Sequence, residues 1–206
     1  QHYSPKRDSI YKILELSAKW FQENLVYADN DCLKYLKSRS ITEETINTFR
    51  LGYSFNPKTT LYEYLRNCSF KDEEIIKSNV AKLDQNKKIR DFFYKRLIFP
   101  IINLNDKVVA FGGRVLDDSN PKYINSPESL FFKKRNLLYN LQSAKKIARQ
   151  KKNLLICEGY MDVIALHQKG IRSVVAPLGT AFTDDQLILS WRFVDKPTIM
   201  FDGDSA

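Results

Sequence analysis

Histidine and cysteine are scarce in this chain, and their scarcity closes off whole classes of chemistry. Two histidines, His2 and His167, and three cysteines, Cys32, Cys68 and Cys157, are spread over 206 residues. They leave no Cys-x-x-Cys pair and no cluster with zinc-ligand spacing. No structural zinc site is encoded. An odd number of scattered cysteines fits a reducing compartment, where a thiol behaves as a small buried hydrophobe. No apolar run approaches the roughly 18 residues of a membrane span, and the opening QHYSPKRDS lacks the apolar centre of a secretion signal. These absences predict a cytoplasmic protein with no membrane partner. Internal repeats and low-complexity tracts are missing too. The start at Gln1 and the end at Ala206, just after a run that reads as unfinished, predict that both ends are artificial.

What the chain does carry is a core and a positive charge. Its 43% hydrophobic content fills the interior of one large domain or two small ones. The formal net charge of +9 favours polyanionic partners, nucleic acid first. A basic surface also serves solubility alone, so the positions of the charges matter more than their sum.

The first half reads as short amphipathic helices. Ile10, Ile13, Leu14, Trp20 and Phe21 fall on one helical stripe and Leu33 and Leu36 on another, while Thr42 before Glu43 and Glu44 marks a capped start. Gly52 breaks the pattern. Further helices are expected over Leu61–Leu65 and Asp72–Ile76, and the Lys-rich stretch Lys82–Lys88 is expected to be a loop. From Arg96 two apolar runs, Leu97–Ile102 and Val108–Phe111, flank a polar turn and predict a β-hairpin. Gly112 and Gly113 would let the backbone bend sharply before Arg114, and Pro121 to Pro127 would form an irregular loop carrying Lys122 and Tyr123. Leu137, Leu141, Ala144 and Ala148 then repeat at helical spacing, predicting a helix that bridges two domains. After Asn153 strand and helix alternate as βαβαβ: strands at Leu154–Cys157, Val174–Ala176 and Thr198–Phe201, helices at Met161–Gln168 and from a Thr183/Gln186 capping box to Trp191. That order is the start of a doubly wound parallel sheet.

In such sheets the working groups gather at the carboxyl ends of strands. Glu158 follows the first strand, and Asp202 and Asp204 follow the third. A strand order 2-1-3 would make these strands neighbours at roughly 4.8 Å and bring the acids together. Three carboxylates with no His or Cys beside them suit a hard, oxygen-seeking cation, magnesium above all. Strand-end acids also often just cap the next helix, and an Asp-Gly-Asp is often only a turn.

Here a family resemblance becomes specific. Glu158-Gly-Tyr-Met-Asp162, the Gly179-Thr180-Ala181 run and Phe201-Asp-Gly-Asp204 resemble the successive motifs of the Toprim domain of bacterial primases. Upstream, Arg96-Leu-Ile-Phe-Pro-Ile101, Ala110-Phe-Gly-Gly-Arg-Val-Leu116 and Pro121-Lys-Tyr-Ile-Asn-Ser-Pro127 resemble, in order and spacing, the basic subdomain that precedes Toprim in DnaG-type primases. Leu51-Gly-Tyr-Ser54 has its counterpart there. The likeness covers nearly the whole chain. It implies an α/β protein: a basic α+β subdomain over residues 1–150, then an incomplete Toprim domain over 151–206. It implies synthesis of short RNA primers from ribonucleoside triphosphates on a single-stranded DNA template. Glu158, Asp202 and Asp204 would hold Mg2+ or Mn2+ and act as the catalytic acids. Arg114, Lys122, Tyr123, Asn125 and Asp162 would face the nucleotide; Arg96, Arg114, Lys122, Lys133, Lys134 and Arg135 would contact nucleic acid.

The chain also departs from the family. The zinc-binding domain that precedes this region, and the region engaging the replicative helicase and single-strand binding protein, are absent from it. A second Asp-x-Asp motif would lie beyond Ala206, so the chain by itself is expected to be inactive. The turn Asn105-Asp106-Lys107 lacks a frequent Gly, and Phe92 stands where a polar residue is common. The acids alone do not separate bond making from bond breaking. A Toprim nuclease or topoisomerase-like enzyme, and a non-catalytic module binding single-stranded nucleic acid, therefore stand as rival readings.

Overall fold

The computed structural model describes residues 5–26, 31–179 and 181–203, and it divides into two compact units. Residues 1–100 with 107–127 form the first, and 101–106 with 128–206 the second. No helix among the described residues is long and apolar enough to cross a membrane.

In the first unit the apolar stripe at its start becomes α1 (Pro5–Val26), and all five stripe residues are buried. α2 (Asp31–Ser38) buries Cys32 and Leu36. α3 (Glu43–Thr48) begins where Thr42 Oγ1 accepts the Thr45 amide at 3.3 Å. Gly52 does more than interrupt a helix. With Tyr53 it forms β1 (Gly52–Tyr53), because α1 runs so close that a Cβ at Gly52 would lie 2.5 Å from Phe21 Cβ and 2.6 Å from the Phe21 carbonyl carbon. α4 (Leu61–Asn67) and α5 (Asp72–Lys77) lie where expected.

Three local readings change. The Lys-rich stretch is no loop throughout: β2 (Ala81–Leu83) and β3 (Ile89–Asp91) pair antiparallel across a turn in which Asp84 Oδ1 accepts the amides of Asn86 and Lys88. Gly112 and Gly113 do not bend the chain; both lie inside β5 (Val108–Val115), the second arm of the hairpin that starts with β4 (Arg96–Ile102). Gly113 is needed there because a Cβ would meet the Phe93 ring at 2.6 Å. The segment carrying Tyr123 is a strand, β6 (Tyr123–Asn125), and the sheet order is β1-β4-β5-β6. Phe21 and Phe93 meet Phe111 edge-on at 5.2 and 6.4 Å between ring centroids. Each such ring, fully buried, contributes about 1.5–3 kcal/mol.

The second unit is the alternating half. α6 (Leu141–Lys151) lies wholly within it and opens at the buried Asn140, whose backbone is left-handed (φ 67°) and whose Nδ2 donates to Val174 O at 2.9 Å. β7 (Leu155–Ile156), α7 (Tyr160–Gln168), β8 (Val174–Val175), α8 (Asp184–Trp191) and β9 (Thr198–Ile199) follow. The strands are parallel in the order β8-β7-β9, the 2-1-3 arrangement. Leu141, Ala144, Ala148, Leu154, Ile156, Val175, Leu189 and Phe193 make its core. β9 is an edge strand with both residues exposed.

Candidate functional site

Because β7 sits between its two parallel neighbours, the residues just past β7 and β9 come together. Glu158 follows β7 as an exposed carboxylate, and its Oε2 accepts the backbone N–H of Asp202 at 3.2 Å. Asp204 lies outside the described residues, as does Thr180. Among the described residues no three His, Cys, Asp or Glu side chains converge; what brings Glu158 and Asp202 together is the bond from the Asp202 backbone to the Glu158 carboxylate. The donor chemistry nearby fits a hard cation and not a soft one. Burial pushes the neighbouring Cys157 thiol up to about 12, with the Asp162 charge adding to it, and its Sγ donates to Val175 O at 3.4 Å.

Asp162 has a local task. Its Oδ2 accepts the Gly159 N–H at 3.0 Å, which caps α7 and fixes the backbone directly after Glu158. This is the arrangement an acid three residues past a helix start makes by default.

In the first unit the cations and their companions gather on β4, β5 and β6. The register pairs Arg114 with Tyr123 and Gly112 with Asn125. Arg114 is only 9% exposed, a surprising depth for a side chain expected at a strand end. Its Nη1 donates to the Tyr123 hydroxyl. Its guanidinium carbon lies 5.0 Å from the Tyr123 ring centroid and 4.8 Å from that of Tyr35 on α2. Arg96 is committed to the backbone: its Nη1 donates to Pro121 O at 3.1 Å and Gly113 O at 3.4 Å, fastening the segment that leads through Lys122 into β6. Partial burial lowers the Arg96 pKa from its ordinary value while the charge of Asp117 opposes the shift; a guanidinium stays charged at neutral pH regardless. Lys122 is exposed, Tyr123 is 37% exposed and Asn125 is half-buried.

Lys133, Lys134 and Arg135 belong to the second unit, on and beside a 3-10 turn (Lys134–Asn136). Arg135 makes a mainly exposed ion pair with Asp185 at 3.5 Å. What sequence reading missed is the anchor under this turn. Gln186, 2% exposed, takes the Thr183 N–H on Oε1 and donates from Nε2 to Lys134 O at 3.1 Å and Leu137 O at 3.0 Å. The capping-box pattern exposed the first bond; the other two span some fifty residues and leave no local trace. Gln186→Leu removes all three at once, and at about 1 kcal/mol each the chain is expected to lose about 2–3 kcal/mol. Chemical denaturation of the two proteins measures it, and an unchanged midpoint would refute the anchor.

The families that match this chain meet further along it than the two compact units do, between residues 145 and 152. The family described as the DNA primase catalytic core, N-terminal domain, matches residues 20–145, and the Toprim domain family matches residues 152–206. The DNA primase of Clostridium acetobutylicum is 41% identical over 201 residues, which is 98% of this chain and 33% of that protein. The chain thus spans about a third of the length of the curated relatives it matches. Among solved structures, the zinc-binding and RNA polymerase domains of the Aquifex aeolicus primase superpose with a TM-score of 0.90 at 34% identity, over 99% of this chain and 50% of that one. A DnaG primase catalytic domain bound to single-stranded DNA superposes with a TM-score of 0.85 at 32% identity, over 97% and 62% respectively.

Proposed function

The chain belongs to the DNA primase catalytic core family, and from that premise we propose that it supplies the nucleotidyl-transfer centre of a DNA-directed RNA polymerase that lays primers on single-stranded DNA. The observation that carries the reading is the meeting of Glu158 with Asp202 across adjacent parallel strands. Residues 1–150 act as the basic subdomain and 151–206 as the Toprim part. Glu158, Asp202 and Asp204 would hold Mg2+ or Mn2+, which would lower the charge on a triphosphate and the barrier to attack on it. The chain's own residues bind and orient. Arg114 and Lys122 hold phosphate oxygens, Tyr123 and Asn125 contact sugar or base, and Asp162 keeps the Glu158 backbone in place. Lys133, Lys134 and Arg135 serve as template contacts, with Arg96 supporting the segment that presents Lys122. The full protein works in the cytoplasm, with zinc in a separate N-terminal domain, and meets the replicative helicase and single-strand binding protein through other regions.

A full-length protein carrying this chain, given labelled ribonucleotides, Mg2+ and a single-stranded template, tests the reading. Short labelled RNA is the expected product. Template cleavage without synthesis would replace the reading with a nuclease, and binding alone would reduce it to a nucleic-acid module.

The 206-residue chain itself is expected to bind single-stranded DNA with an affinity that falls steeply as salt rises, because phosphate contacts release counterions. Lys122→Ala is expected to flatten the slope of log affinity against log salt by about 0.7, the share of one phosphate contact on a single strand. Fluorescence anisotropy across a salt series measures both. A salt-independent affinity would refute the electrostatic interface.

A further inference from the structure

We propose that Tyr35 is a positioning residue for Arg114: its ring holds the guanidinium in place as a buried cation with no acid partner among the described residues, ready for an anionic ligand. The inference rests on the reading of Arg114 as a phosphate-binding residue and adds a residue that no motif assigns.

A guanidinium as buried as Arg114 ordinarily needs a carboxylate, because burying an unpaired charge is costly. None of the ion pairs among the described residues involves Arg114. What surrounds it instead is aromatic. The ring centroids of Tyr35 and Tyr123 lie 4.8 and 5.0 Å from its central carbon, and its Nη1 donates to the Tyr123 hydroxyl. Its Nε is buried and has no hydrogen-bond partner among the described residues. Ring faces attract a cation without neutralising it, so they fix the side chain and leave its demand for an anion unmet. A carboxylate in the same place would answer that demand and compete with phosphate. A second cation reinforces the bias: Arg39 lies 5.4 Å from the same Tyr35 ring.

The Tyr35 hydroxyl is itself buried and has no hydrogen-bond partner among the described residues. The ring is therefore the working part, and the hydroxyl is dispensable. That separates positioning from an ordinary hydrogen-bonding role and makes the conservative variant informative. Tyr35 stands on α2, 79 positions before Arg114 on β5.

The test uses the 206-residue chain, a labelled single-stranded oligonucleotide and a double-mutant cycle. Tyr35→Phe is expected to bind like the parent and Tyr35→Leu about fivefold more weakly; in an Arg114→Ala background Tyr35→Leu is expected to add no further loss. In parallel, the Arg114 Nε–H resonance should carry a ring-current displacement that Tyr35→Phe keeps and Tyr35→Leu abolishes. Tyr35→Met replaces Tyr35→Leu should melting show the latter unfolded. A Tyr35→Leu penalty that persists without Arg114, or an Arg114 resonance indifferent to Tyr35, overturns the proposal. If Arg114→Ala binds like the parent while the resonance behaves as expected, the phosphate-binding role of Arg114 fails, and Tyr35 is left with packing alone. The two failures are thereby told apart.

Discussion

Primer synthesis, the activity proposed for a full-length protein carrying this chain, is expected to fall at least about a thousandfold with Glu158→Gln, a loss of about 4 kcal/mol of transition-state stabilisation. The change keeps the shape of the side chain and an oxygen that still accepts the Asp202 N–H, now seen at 3.2 Å. What disappears is a negative charge just past β7, where the proposed divalent cation would need it. The exposed position means that little core packing is at stake. Binding of single-stranded DNA should therefore stay within about twofold, since the proposed contacts to phosphate come from Arg114, Lys122 and the Lys133–Arg135 turn. Synthesis, anisotropy and melting on the same preparation decide the matter. Undiminished synthesis would remove Glu158 from the catalytic group, and a parallel loss of stability would make it structural.

The largest structural effect is expected from Gly52→Ala. The added methyl would sit 2.5 Å from Phe21 Cβ and 2.8 Å from Phe21 O, and the second of these is backbone, which cannot swing aside as the end of a flexible side chain can. Relief requires α1 to move off β1, and α1 buries Ile13, Leu14, Phe21 and Leu25 almost completely. The cost should reach the upper end of the range for overpacking, about 3 kcal/mol. At this chain length that lowers the melting temperature by about 6–12 °C. A mutant melting within 2 °C of the parent, roughly the effect of 1 kcal/mol or less, would mean that the helix yields freely and the close approach is not a constraint. Glu158→Gln should leave melting unchanged, so the two substitutions separate chemistry from architecture.

The helices and the parallel half were legible because their signals are local. A 3.6-residue stripe such as Ile10-Ile13-Leu14-Phe21, or a Thr183/Gln186 cap, is complete within one element. The βαβαβ order likewise placed Glu158 and Asp202 at neighbouring strand ends. The antiparallel half was harder. β1 is two residues long and has no period to read; it exists because β4 pairs with it through Gly52↔Ile98 and because α1 lies over it. Gly112 and Gly113 read as a bend, yet the Phe93 ring, twenty positions away, is what requires a glycine at 113. Lys82–Lys88 read as a loop because its charges hide a short hairpin closed by Asp84. The depth of Arg114 follows from contacts with Tyr35 and Tyr123, which no spacing announces.

The strand order has a consequence for how the molecule assembles in time. β2 and β3 meet between residues six to ten positions apart, whereas Leu155 must find Thr198, 43 positions on, before β9 can dock beside β7. By chain-closure entropy the longer search costs about 1.3 kcal/mol more than closing a ten-residue loop, and it must wait for the helical crossover to form. The carboxylate–amide contact between Glu158 and Asp202 therefore belongs to the late events of folding, and to the first that a partial opening of this unit would undo.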